Sequence, residues 1–220
     1  SIYAKLNNSG EVNKVIISEH LEETKEGKTI DRTKLINVEN INGDEKYTRE
    51  NGKLVWESNG KDIYYQGQTN EKLPISLQIS YYLDGKESTV NEMLGKKGKV
   101  KIILKYTNND KHNVNVNGKN TTLYTPFVIA TSTIIPNTTN KNIKVTNGKV
   151  ITNGTNSVIA AISTPGLYES LGIDKLKVMD TIEITYETER FELNSIYSVA
   201  TPKLVETSDF DMLNSIDKIY

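Results

Sequence analysis

The chain holds two imidazoles, His20 and His112, and no cysteine. The histidines lie far apart, with no His or Cys neighbour at ligand spacing, so a histidine-based metal site is not expected. The missing cysteine excludes disulfides, thiolate nucleophiles, zinc–thiolate sites and iron–sulfur clusters. A Ser-His-carboxylate triad would have to recruit one of two isolated histidines, and no G-x-S-x-G turn is present. Both histidines are expected at the surface. The glycines fall in Asn-Gly and Asp-Gly turns, without a phosphate-cradling or dinucleotide fingerprint. No cofactor is expected.

Carboxylates are the next chemistry-bearing groups. Glu183, Glu187 and Glu189 occupy odd positions of one candidate strand, opposite Ile182, Ile184 and Tyr186. Paired carboxylates can hydrolyse glycosides, but no aromatic-flanked acid pair stands out. Like charges on one strand face read as a solvated surface that discourages edge-to-edge aggregation. Asp209-Phe210-Asp211 lacks the glycine turn and distal Glu of a calcium loop. Near a helix start these carboxylates complement the helix dipole.

The aromatics are the best remaining lead. Trp56, Tyr64, Tyr65, Tyr81 and Tyr82 cluster in sequence. An exposed ring can stack on the apolar face of a sugar while its OH or NH hydrogen-bonds. Trp56, Tyr64 and Tyr65 are therefore the candidate ligand residues. Adjacent tyrosines point to opposite faces of a strand, so one of each pair is expected in the core and the other on the surface.

The elements that must position these residues are clearest between Lys61 and Asn109. Leu73, Ile75, Leu77, Ile79 and Tyr81 alternate with Lys72, Pro74, Ser76, Gln78 and Ser80, the period of a half-buried strand. Pro74 suits a strand start or an edge. Asp84-Gly85 is a tight-turn dipeptide. Thr89 to Glu92 fits a capping box, and Gly95 can end the short helix that follows. Val100, Ile102, Leu104 and Tyr106 then share one face of the next strand.

DIYYQG, LPISLQISYYLDGKE and LGKKGKVKIILKYTNN resemble a family of Gram-positive, mostly clostridial, cell-surface proteins. These are labelled X-X-X-Leu-X-X-Gly heptad-repeat or phage-infection-protein-like membrane proteins. VNVNGK at 114–119, LYTPFVIATSTIIPN at 123–137, NIKVTNGKVITNG at 142–154 and PGLYESLGI at 165–173 extend the resemblance, as does IYAKLNNSGEVNKVIISEHL at the start. It covers nearly the whole chain and rests on turns and strands rather than catalytic signatures. It implies an extracellular domain of a membrane-anchored surface protein, with a heptad-rich coiled coil following. It carries no catalytic residue across.

Read in order, residues 1–20 form a hairpin turning at Asn7-Asn8-Ser9-Gly10. Leu21 to Lys28 reads as charged loop, and Asp31 as the cap of a brief helical turn through Leu35 and Ile36. Asn51-Gly52 and Asn59-Gly60, each between apolar runs, signal hairpins joining strands near 46–49, 53–57 and 62–66. Candidate strands follow at 73–82, 99–107, 122–133, 142–146, 149–152, 157–163 and 180–189, with an extended segment over 191–201. Pro165-Gly166 opens a short helix that Gly172 ends. Phe210, Leu213, Ile216 and Ile219 make a helical stripe over 208–220. The expected fold is mainly β: an antiparallel β-sandwich of immunoglobulin-like size over 69–201. A small β meander over 1–68 precedes it, and a linker and helix start over 202–220 follow.

Composition is that of a globular protein, 36% hydrophobic and 25% charged, with a formal net charge of −1. The positive charge is almost all lysine, poorly suited to bidentate phosphate reading, so nucleic acid is not an expected partner. No run is long enough to span a bilayer and no signal peptide opens the chain at Ser1. The resemblance then implies a soluble piece lying between membrane anchors. The expectation is a non-enzymatic extracellular structural or interaction domain whose partner is a protein or a cell-wall glycan. A following coiled coil would offer a route to oligomers. The alternative is a carbohydrate-binding module using the surface aromatics, with a carboxylate hydrolase as a remote third reading.

Overall fold

A computed structural model describes residues 2–6, 12–69 and 73–202, with side chains from residue 15 onward. The expected turn at Asn7 to Gly10 and the helical stripe at 208–220 lie outside the described residues. The chain is mainly β with antiparallel sheets. It forms two compact units, one of Ser1–Lys5 and Asn13–Lys72, the other of Leu6–Val12 and Leu73–Tyr220.

The first unit holds β1 (Ile2–Leu6), β2 (Val12–Leu21), β3 (Glu26–Asp31), β4 (Ile36–Asn40), β5 (Tyr47–Glu50), β6 (Lys53–Asn59) and β7 (Ile63–Gln68). Of these, β1-β2-β7-β4 run side by side in that order, and a separate three-stranded sheet runs β3-β6-β5. Leu35, Val38, Leu54, Trp56, Ile63 and Tyr65 form its core. Asn51 and Gly52 both take positive φ, 48° and 75°, and close the expected β5–β6 hairpin. Three expectations are corrected. Asn59-Gly60 does not make a hairpin, because β6 pairs with β3 and β5 while β7 joins the other sheet. The charged stretch from Leu21 to Lys28 is loop only over residues 22–25: Leu21 finishes β2, and Glu26 starts β3, an edge whose charges face solvent. No helical turn follows Asp31. The Asp31 carboxylate accepts the Tyr65 hydroxyl, Thr33 Oγ1 accepts the Leu35 N–H at 3.2 Å, and Ile36 begins β4.

In the second unit the strands are β8 (Ile75–Leu83), β9 (Lys86–Ser88), β10 (Gly98–Asn108), β11 (Lys111–Val116), β12 (Lys119–Tyr124), β13 (Phe127–Pro136), β14 (Asn140–Val145), β15 (Gly148–Asn153), β16 (Asn156–Ser163), β17 (Thr181–Thr188) and β18 (Ile196–Pro202). Helix α1 spans Val90–Met93 and α2 spans Leu167–Leu171. A five-stranded sheet runs β14-β17-β10-β8-β9, and β15-β16-β13-β18 run side by side in another sheet. Between them lie Val100, Ile102, Leu104, Ile182 and Ile184 from one side and Ile129, Ile135 and Ile159 from the other, all buried. The Tyr106 hydroxyl bridges the layers, 2.6 Å from both Thr131 Oγ1 and Ser198 Oγ. Tyr106 is buried and polar at one end, and these partners satisfy it. The arrangement is sandwich-like, as the strand pattern implies.

Local chemistry explains the boundaries. Asp84 and Gly85, at φ 51° and 80°, turn β8 into β9. Thr89 Oγ1 accepts the Glu92 N–H while Glu92 reaches back to Thr89, completing the capping box. The expected strand over 122–133 is two strands, since Pro126 cannot donate to a ladder and the chain passes from β12 to β13 there. The extra hairpin β11–β12 turns on Asn117-Gly118. Pro165 precedes α2 rather than entering it; Gly166 is the N-cap, and Gly172 ends the helix in the left-handed conformation.

Candidate functional site

The aromatic cluster divides along strand alternation. Trp56 and Tyr65 are each 0% exposed. They pack 5.2 Å apart, with Tyr47 5.0 Å from Trp56 on its other side. Neither ring offers a face to a sugar, which removes two of the three candidate ligand residues from the surface. The cause is their register. Both strands place these rings inward, where a large apolar surface is worth most when removed from water. Burial, and next the bond to Asp31, hold the Tyr65 hydroxyl's pKa well above its ordinary value. Tyr64 points the other way and stacks on His20, ring centres 4.1 Å apart. Tyr81 is buried, and Tyr82 lies under the Lys101 ammonium at 4.7 Å.

The titratable groups are engaged locally at the surface. His20 Nε2 lies 2.9 Å from Asp62, and its other ring nitrogen 3.4 Å from Glu22. The hydrogen bond from His20, then that from the Glu23 N–H, lowers the Asp62 pKa. His112 lies 2.9 Å from Asp110. Among the described residues no group of three such side chains could hold a metal ion. On β17, Glu187 accepts from Asn142 at 2.9 Å and lies 3.7 Å from Lys141. Just beyond, Glu189 pairs with Lys97 at 2.8 Å, and that bond lowers the Glu189 pKa. These acids are lysine-paired surface charges with no enclosed acid partner.

The surface that stands apart is the outer face of β13, β15, β16 and β18. Register sets its rows. Ile151, Val158 and Ile134 lie side by side across three strands. Lys149, Ala160, Ser132 and Tyr197 form the next row, and Ile162, Ala130 and Val199 follow. Ile134 is 54% exposed, Ile151 57% and Tyr197 65%. Lys149 is the one charged side chain in these rows. The outer face of the five-stranded sheet is the opposite in character: Lys99, Lys101 and Lys105 on β10 flank Glu183 and Glu187 on β17. One sandwich thus carries a charged outer face and a nearly uncharged apolar one. Contiguous exposed apolar rows of this kind mark docking surfaces on soluble domains.

Sequence reading passes over this face because β13 carries apolar residues on both of its sides. In FVIATSTIIP the inward residues include Thr131 and Thr133, both buried, while Val128, Ala130 and Ile134 point outward. Thr133 is satisfied by the Ser195 carbonyl at 2.8 Å, and Thr131 by Tyr106. Those partners come from distant parts of the chain, so alternation alone cannot say which face is core. No helix among the described residues is long and apolar enough to cross a membrane. No protein-family model matches the chain, and no curated protein is significantly similar to it.

Proposed function

We propose that this chain is a non-enzymatic interaction domain of a membrane-anchored cell-surface protein. It docks a partner protein through the outer face of β13, β15, β16 and β18. One observation carries the docking reading: Ile151, Val158 and Ile134 form an exposed apolar row on a face with a single charge, in a chain that is 25% charged. Leaving such a row in water costs free energy that a covering surface recovers. The cell-surface setting rests on the resemblance of the strand and turn segments. The lysine-paired acids fit a solvated scaffold, and the glycan reading loses support with the burial of Trp56 and Tyr65.

The test compares the protein with an I134K/I151K variant, matched for fold by circular dichroism, for retention on cell envelopes of the bacterium that makes it. Covering the exposed half of each isoleucine is worth about 1 kcal/mol, so the pair is expected to cost roughly thirtyfold in affinity. Equal retention of both proteins would remove this face from the function. Hydrolysis of a wall polymer, lost on replacing one carboxylate, would overturn the non-enzymatic reading.

A further inference from the structure

The two ends of the five-stranded sheet are finished differently. At one end β14 carries Lys141 and Lys144, and its pairing with β17 slips register between them. Lysines and irregular pairing are devices that keep an edge from recruiting another strand. At the other end β9 covers β8 only at Tyr81, Tyr82 and Leu83. Residues 75–80 have β10 on one side and no strand on the other among the described residues. The whole of β8, ISLQISYYL, contains no charge.

The ladder phase says which groups are open. The Asn109 N–H donates to the Pro74 carbonyl at 2.7 Å, and the Asp84 N–H to the Lys99 carbonyl at 2.8 Å. Even-numbered residues of β8 therefore exchange bonds with β10, and the N–H and C=O groups of Ile75, Leu77 and Ile79 point to the open edge. The side chains of these three share the inner face with buried Tyr81 yet are only partly buried. The sandwich is one strand short here. The open segment begins at Ile75, the first residue of β8, on one side. Ser88, opposite Tyr81, ends it on the other.

We infer that this edge pairs with the same edge of a second copy of the chain, antiparallel about a two-fold axis at Leu77. That register sets Leu77 against Leu77, Ile75 against Ile79, and Ser76 against Gln78. It is the register that uses all three open residues of each copy, and three pairs exchanging two bonds each give six hydrogen bonds. Over residues 75–79 every apolar side chain meets an apolar one, and every polar one meets an uncharged polar one. An isologous contact needs that self-complementarity. Pro74 of the second copy falls opposite Ser80, beside a groove of about 390 Å³ whose lining includes Ile79, Tyr81, Val90 and the charged Glu87. This surface is separate from the apolar outer face, and the inference does not rest on the docking proposal above.

The test is sedimentation of the protein up to about 100 µM, a range that reveals weak dimers. The unchanged protein is expected to dimerise. S76K/Q78K, at two exposed positions, puts like charges opposite each other and is expected to weaken the dimer about tenfold or more. S76E/Q78K puts opposite charges at the same positions and is expected to restore it. A monomer throughout the range would overturn the inference, even if a foreign peptide then bound the edge. So would a dimer indifferent to S76K/Q78K, or one that S76E/Q78K fails to rescue.

Discussion

The indole of Trp56 sits at the centre of the first unit, and its N–H meets no acceptor among the described residues. A buried unpaired donor costs about 1–3 kcal/mol, which offsets part of what the ring's burial contributes. W56A is expected to cost about 3–5 kcal/mol by leaving a cavity. W56F is expected to cost far less, because it fills most of the space and removes the orphaned donor. Urea unfolding of both variants checks this, and equal costs would mean that the indole N–H is satisfied. Tyr106 is the converse case. Its hydroxyl is engaged by Thr131 and Ser198 across the sandwich, so Y106F removes two hydrogen bonds, leaves buried Thr131 with Ser198 at 3.4 Å, and is expected to cost about 1–3 kcal/mol. The sequence makes it plain that Tyr64 and Tyr65 must part company. Which of them turns inward depends on Trp56 and Leu54 arriving from another strand, and no local pattern contains that.

Elements were most legible where a turn or cap is built from neighbouring residues. Asp84-Gly85, Asn51-Gly52 and the Thr89–Glu92 box all form as their chemistry dictates. Removing the cap with T89A is expected to cost about 1 kcal/mol, read as a shifted denaturant midpoint. Legibility failed where a partner strand decides. Asn59-Gly60 has a hairpin's residues, but β6 is held by β3, so the turn hands the chain to another sheet. Gly148 belongs to the same class. Its φ is unremarkable, yet a Cβ there would lie 2.2 Å from the Ala160 carbonyl oxygen and 2.7 Å from the Ala161 Cα. The obstacle is backbone, so β15 would have to move off β16. G148A is expected to destabilise the second unit by about 1–3 kcal/mol and to speed amide exchange along β15 and β16 first. Unchanged exchange would show that β15 can shift freely.

At the scale of the whole molecule, four tyrosines among the described residues are in the core: Tyr65, Tyr81, Tyr106 and Tyr186. Burial raises the pKa of each. The unfolded chain, with ordinary phenols near 10, ionises first. Their contribution to stability is therefore intact below about pH 10 and is lost as pH rises further. The unfolding temperature is expected to fall steeply there, with the last tyrosinate absorbance appearing together with unfolding. A smooth titration of all the phenols at constant stability would contradict this. The mainly β class was legible from strand count and turn chemistry. The proposed docking face was not, because it is assembled from four strands between residues 128 and 201, and β13 is apolar on both of its sides. That face also carries a consequence for how association responds to its surroundings. With Lys149 as its single charge, a complex formed there has few ions to screen or release, so its affinity should barely change with ionic strength. It should instead show a negative heat-capacity change on binding, the mark of apolar surface leaving water. A partner captured through the lysine and glutamate rows of the opposite sheet would reverse both signs of character, weakening with salt and changing heat capacity little.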